Sequence, residues 1–171
     1  PPYTVTVLHI DGVARGAARS ICEVDGALFY KSRYAVMRYT SSSIGSVSDR
    51  LGRLPDAVSA AGGSFGGKYY LSLAGKVHVY DTKRGMWCTE DDCGAVDFAT
   101  ADGKLYIAAG KEDANGKYPL CEVSGDAEAE ADMSWSFTTP RIGYGLPNRK
   151  YVSRVLIRLE IGDAALPTVE L

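Results

Sequence analysis

A chain of 171 residues, 46% hydrophobic and 23% charged, has the make-up of one soluble globular domain, or one domain plus part of another, and needs no staples to bury a core. A net charge of −2 with no basic tract argues against a nucleic-acid footprint. No apolar run approaches the ~18 residues of a membrane-spanning helix.

The chain opens on "PPYTVTVLHIDG", which lacks the charged start and apolar stretch of a signal peptide. The absence of an initiator Met, and the ending "PTVEL", lead us to expect a fragment of a longer polypeptide. From Val24 the segment "VDGALFYKS" has a turn glycine, then a small residue, then apolar and aromatic strand formers. "FGGKYYLSL" from Phe65 and "ADGKLYIAA" from Ala101 repeat that order, with a basic residue after the glycine. The anchoring glycines Gly26, Gly67 and Gly103 recur after 41 and then 36 residues, a period that suits a four-stranded propeller blade.

A second strand follows each: "YAVMRY" (34–39), "KVHVYD" (76–81) and "YPLCEV" (118–123), the last displaced by the insertion "KEDANGK". Turns come next: "TSSSIGS", "DTKRGM" and "SGDAEAEADM". In the second, Asp81 is placed to accept backbone hydrogen bonds, and Gly85 to take the positive φ that closes a longer hairpin. Trp87 and Trp135 restart the chain after the second and third turns, whereas the first repeat has no Trp there. "VSAAGGSFGG" and "AVDFATADG" read as the strands leading back to the next glycine.

Helix signals are few. "SVSDRLGRL" (46–54) predicts one or two turns capped by Ser46 or Ser48 and ended by Gly52 and Pro55. "DAEAEADM" (126–133) has helical composition but no apolar stripe, and reads as a solvated turn or short helix. In "KYVSRVLIRLEIGD", Val155, Ile157, Leu159 and Ile161 fall on one face of a strand, with Leu156 the exception on the other. The expected division is a propeller-like β-repeat region over 1–135, then a connector and C-terminal strand over 136–171 that begin a further β region. The fold expected is all-β: about three antiparallel blades in an incomplete ring.

Chemistry-bearing residues are sparse. Cys22, Cys88, Cys93 and Cys121 do not form a disulfide framework in a chain of this size, although a Cys88–Cys93 bridge across a hairpin stays open. The Cys88-x4-Cys93 spacing is not a usual zinc spacing, and His9 and His78 lie elsewhere. Glu90, Asp91, Asp92 and Asp97 lack the pattern of a calcium loop and read as a solvated acidic turn. Ser20, Ser42 and Ser72 sit in no nucleophile elbow. "GGSFGGK" (62–68) has the wrong spacing for a phosphate loop, so its glycines are expected at turns and close approaches. No metal, cofactor or catalytic residue is therefore expected. Trp87 and Trp135 are expected between sheets, with sugar stacking as the rival role. In the connector-like "RIGYGLPNRKY", Tyr144 and Arg149 join the two tryptophans as a possible interaction surface.

The ordered series "EVDGALFYKSRYAVMRYTSS", "LG", "GKYYLSL", "VYDTKRGMWCTEDD", "DGKLYI" and "WSFTTPRIGYGLPNRKYVSRVLIRLEI" resembles virion structural proteins of prophages and tailed phages of low-GC Gram-positive bacteria. The similarity runs from about Ser20 to Glu170. It implies propeller-type β-repeats joined to a β-rich C-terminal region, without catalytic residues. It also implies a non-enzymatic building block of a phage or prophage particle, tail-associated and assembled in the bacterial host cytoplasm. Its partners would be other virion proteins or the rest of its own parent chain, not nucleic acid or membrane. The alternatives are a propeller that binds surface glycans or a receptor, and a propeller-type hydrolase or lyase.

Overall fold

A computed structural model describes residues 10–56, 59–91, 94–123 and 156. The chain divides into two compact units, Pro1–Ala131 and Asp132–Leu171, and every strand described here belongs to the first. The expected connector and C-terminal strand lie outside the described residues, apart from Leu156, which is exposed.

The fold is all-β and propeller-like. Among the described residues eleven strands form three antiparallel sheets, none closed into a barrel. Sheet A holds β1 (Cys22–Val24), β2 (Ala27–Lys31), β3 (Val36–Tyr39) and β4 (Ile44–Ser46). Sheet B holds β5 (Ala60–Phe65), β6 (Lys68–Leu73), β7 (Lys76–Asp81) and β8 (Met86–Asp91). Sheet C holds β9 (Ala95–Ala101), β10 (Lys104–Ala109) and β11 (Leu120–Glu122). Each sheet is a meander in which chain neighbours pair, and the first strands meet: β5 touches both β1 and β9.

The repeat is visible in the backbone torsions. Asp25–Gly26, Gly66–Gly67 and Asp102–Gly103 have φ of 49 and 74, 58 and 74, and 50 and 73 degrees. Two successive positive φ values make the tight hairpin turn whose twist matches that of the strands it joins. After each turn, alternate side chains face opposite neighbours. In sheet B, Tyr69 and Leu71 join a core with Phe29, Val36 and Val24 of sheet A. From the opposite face Tyr70, Val77 and Val79 join a second core with Leu105 and Ile107 of sheet C. Phe29, Tyr69, Leu71 and Leu105 have no exposed surface. Burying each such side chain contributes about 1.5–3 kcal/mol relative to leaving it in water.

Gly62 and Gly63 on β5 let the sheets come this close. A Cβ on Gly62 would lie 2.6 Å from the Ser20 carbonyl oxygen, on the sheet A side. A Cβ on Gly63 would lie 2.6 Å from the Phe98 Cβ of sheet C. Both are close-approach positions, while Gly66 and Gly67 form the turn, as "GGSFGGK" predicts.

Two local expectations need correction. The stretch 46–54 holds one turn, as expected, the 3₁₀ turn Asp49–Leu51 ended by Gly52 at φ 71, but the expected side-chain cap is missing. Ser48 makes no capping bond; its hydroxyl accepts from the Val36 amide at 2.8 Å and so serves the sheet. The polar stretch "TSSSIGS", read as a turn, contains β4, whose Ile44 pairs with Tyr39.

Candidate functional site

Trp87 is the one predicted surface residue among the described positions, and it belongs to a row across sheet B. Register places Tyr69, Tyr80 and Trp87 side by side on β6, β7 and β8. Trp87 lies 5.0 Å from the Tyr80 ring and meets Tyr69 edge-on at 6.4 Å. Its indole N–H donates to the Val47 carbonyl just after β4, at 2.8 Å. Tyr69 stacks on Phe29 at 5.2 Å and donates its hydroxyl proton to the Ser20 carbonyl at 2.7 Å. Burial pushes the Tyr69 hydroxyl far above its ordinary pKa, so it stays a donor. Half-buried Trp87 is thus engaged in packing between sheets. Trp135, Tyr144 and Arg149 lie outside the described residues.

The two ends of the sheets differ in kind. At the end carrying the tight turns, Thr82 of sheet B donates to the Asp25 carboxylate at 2.9 Å and lies 2.6 Å from the Gly67 carbonyl. Asp81 organises the next loop. One carboxylate oxygen accepts from the Lys83 and Arg84 amides at 2.9 Å each, and the other pairs with the Arg84 guanidinium at 2.6 Å. These bonds hold its carboxyl below the usual range, the backbone bond from Arg84 contributing most. Gly85, at φ 63, donates its amide proton to the Asp81 carbonyl at 2.8 Å, as the sequence predicts for this hairpin. At the corresponding turn of sheet A, Thr40 and Ser43 hydrogen-bond through backbone and side chains alike.

The opposite end bears a cleft of about 820 Å³, contributed to by all three sheet regions and missed in the sequence. Arg19, Asp56, Ser59, Ser72 and Lys111 supply its polar lining, amid glycine and alanine. Most of these groups serve the fold. Ser72 accepts from the Ala95 amide at 2.7 Å, Arg19 reaches the Val96 carbonyl at 3.4 Å, and Asp56 pairs with Arg33 at 3.1 Å. Nearby, Lys31 is fully buried with its ammonium donating to the Ser32 and Arg33 carbonyls at 2.6 and 3.0 Å. Burial lowers its pKa and Asp56 partly restores it. No pattern in the sequence marks this lysine, because its partners are backbone carbonyls.

The candidate acid–base residues have separate partners. Glu90 faces Lys68 at 3.8 Å, Asp97 accepts from the Phe98 amide at 3.0 Å, and His78 contacts the Thr89 hydroxyl at 3.2 Å. Burial, then the charge of Lys76, lowers the His78 pKa. His9, Asp92 and Cys93 lie outside the described residues. Cys22, Cys88 and Cys121 are free thiols, so the hairpin bridge from Cys88 is not formed. Among the described residues no three His, Cys, Asp or Glu side chains converge on a metal position, and no helix is long and apolar enough to cross a membrane. No model of a known protein family matches the chain, and no curated protein matches it.

Proposed function

We propose that this chain is a non-enzymatic structural and interaction module of a phage or prophage particle, tail-associated, which works through protein–protein contacts. The ordered resemblance running from about Ser20 to Glu170 supports the particle assignment. The observation that carries the interaction role is the tight-turn end. Its loops are tied by their own hydrogen bonds at Thr40–Ser43 and Asp81–Gly85 and present exposed side chains. Loops already ordered lose little entropy on docking. The Lys111–Lys117 insertion, at the cleft end, has a similar internal tie: the Asp113 carboxylate accepts from the Asn115 and Lys117 amides at 2.8 and 2.9 Å. Its partners would be other particle proteins or further parts of its own parent chain. Peptide mass spectrometry of purified particles from the host tests the assignment. Stoichiometric recovery with tail proteins is expected; particles that lack the protein overturn it.

A further inference from the structure

The contact that joins the sheets within one chain has a counterpart left partly open on the first sheet, and the last sheet carries the matching half, with Tyr106 half-buried. Counting from the turn glycine, the second and fourth residues face the preceding sheet. These are Tyr69 and Leu71 in sheet B, and Leu105 and Ile107 in sheet C. The third residue faces the following sheet, as Phe29 and Tyr70 do. In sheet A the second residue is Leu28, and the row across the sheet is Leu28, Tyr39 and Ile44. That row is the counterpart of Tyr69, Tyr80 and Trp87, which are packed against a neighbour. Yet Leu28 is 38% and Tyr39 47% exposed. Deeper on the same face Tyr30 and Met37 are covered, Tyr30 donating to the Asp11 carbonyl at 3.0 Å, so the open part is the row nearest the tight turns. At the other extreme, the third residue of sheet C is Tyr106, the counterpart of Phe29.

A second observation is polar. The Thr82 hydroxyl of sheet B clasps Asp25 of sheet A. The counterpart of Asp25 in sheet C is Asp102, at φ 50 against 49. The counterpart of Thr82 in sheet A is Ser41, since Thr82 follows the residue paired with Lys68 and Ser41 follows the one opposite Ala27. Both Asp102 and Ser41 are exposed. One chain thus carries the unused acceptor half of the clasp on its last sheet and the unused hydroxyl half on its first.

We propose that a second copy of this chain docks its sheet C on the Leu28–Tyr39–Ile44 row of sheet A, so that two copies close a ring of six sheets. Tyr106 of one copy then packs on Leu28 of the other, and Ser41 donates to Asp102 across the junction. A twofold axis makes the two junctions identical, and six lies within the usual range of about 4–8 blades. The inference stands apart from the particle assignment and is tested without it.

Sedimentation of the 171-residue chain reads the outcome. A species of twice the 18.3 kDa chain mass is expected, dissociating on dilution. Leu28→Lys raises the dimer dissociation constant about tenfold or more, equal to about 1.4 kcal/mol, while circular dichroism shows the fold retained. Ser41→Glu, on an exposed turn, sets a carboxylate against Asp102 and weakens the dimer, whereas Ser41→Lys strengthens it. Mixing a Ser41→Cys chain with a separately tagged Asp102→Cys chain gives, on oxidation, a disulfide between residues 41 and 102 of different chains. A monomer at millimolar concentration, a trimer or larger assembly, a dimer indifferent to Leu28→Lys and Ser41→Glu, or a dimer without the 41–102 bond each overturns the proposal.

Discussion

The contact between sheets A and B and the contact between sheets B and C use the same register but fill it differently. The first is aromatic: Phe29, Tyr69, Tyr80 and Trp87 lie ring against ring, and two of these rings donate hydrogen bonds to backbone carbonyls. The second is mostly aliphatic, built on Val77, Val79, Leu105 and Ile107 around Tyr70 and Phe98. Its polar ties join a hydroxyl to backbone, at Ser72–Ala95 and Thr100–Ser64. A repeating turn therefore fixes where side chains point, while their size and polar tips decide how specifically two sheets seat. Buried donors fix the A–B seating, since moving them costs unpaired groups. Close packing at Gly63 fixes B–C.

Truncation at each contact separates the two cases most widely. Tyr69→Ala is expected to lose about 4 kcal/mol and Leu105→Ala about 3 kcal/mol, from lost burial and the cavity left, read as urea-unfolding midpoints. Near-equal losses would show that the aromatic contact carries no excess. Next come the glycines. Gly62→Ala drives a methyl into the Ser20 backbone and Gly63→Ala drives one into Phe98. Each is expected to cost about 2–3 kcal/mol by overpacking, and amide exchange should rise at the A–B contact for the first and at B–C for the second. A smaller change, Tyr69→Phe, keeps the ring but leaves the Ser20 carbonyl without its donor. About 1–2 kcal/mol is expected in thermal unfolding. Thr82→Val, which opens the exposed clasp to Asp25 and the part-buried bond to the Gly67 carbonyl, is expected to cost about 0.5–1.5 kcal/mol by the same measurement.

The gentlest probe is pH. His78 has a folded pKa below its ordinary 6.5, so the unfolded chain takes up the proton first as pH falls. Stability should decline as pH drops through 6.5 toward the folded value, and His78→Gln should flatten that part of the curve. Asp81 acts in a lower window: its depressed pKa gives stability that is present above the ordinary carboxylate value of 3.8 and lost as pH falls through the folded value. An unchanged slope in His78→Gln would assign the acid sensitivity elsewhere.

Much of this fold was legible because its strongest signals are local. A glycine with positive φ followed by alternating apolar residues is a short-range pattern, and it located Ala27–Lys31, Lys68–Leu73 and Lys104–Ala109. Strand β4 escaped because "SSSIGS" has turn composition, and only pairing with β3 extends it. The first repeat has no Trp where the second has Trp87, and register puts Ile44 in that place. The turn expected within Ser46–Leu54 forms at Asp49–Leu51, but its side-chain cap does not, because the Ser48 hydroxyl is taken by Val36, a partner twelve residues away. The cleft and the buried Lys31 depend on approaches between sheets that no spacing encodes.

Each sheet is woven from one unbroken stretch, entering on the strand that touches its neighbours and leaving on the far side. Such a chain can gain or lose a whole sheet by duplication or deletion without rethreading the others, since among the described residues no strand is borrowed from another sheet's stretch. Growth by units follows from that weave, and so does a short search during folding, because most pairings close over a few residues.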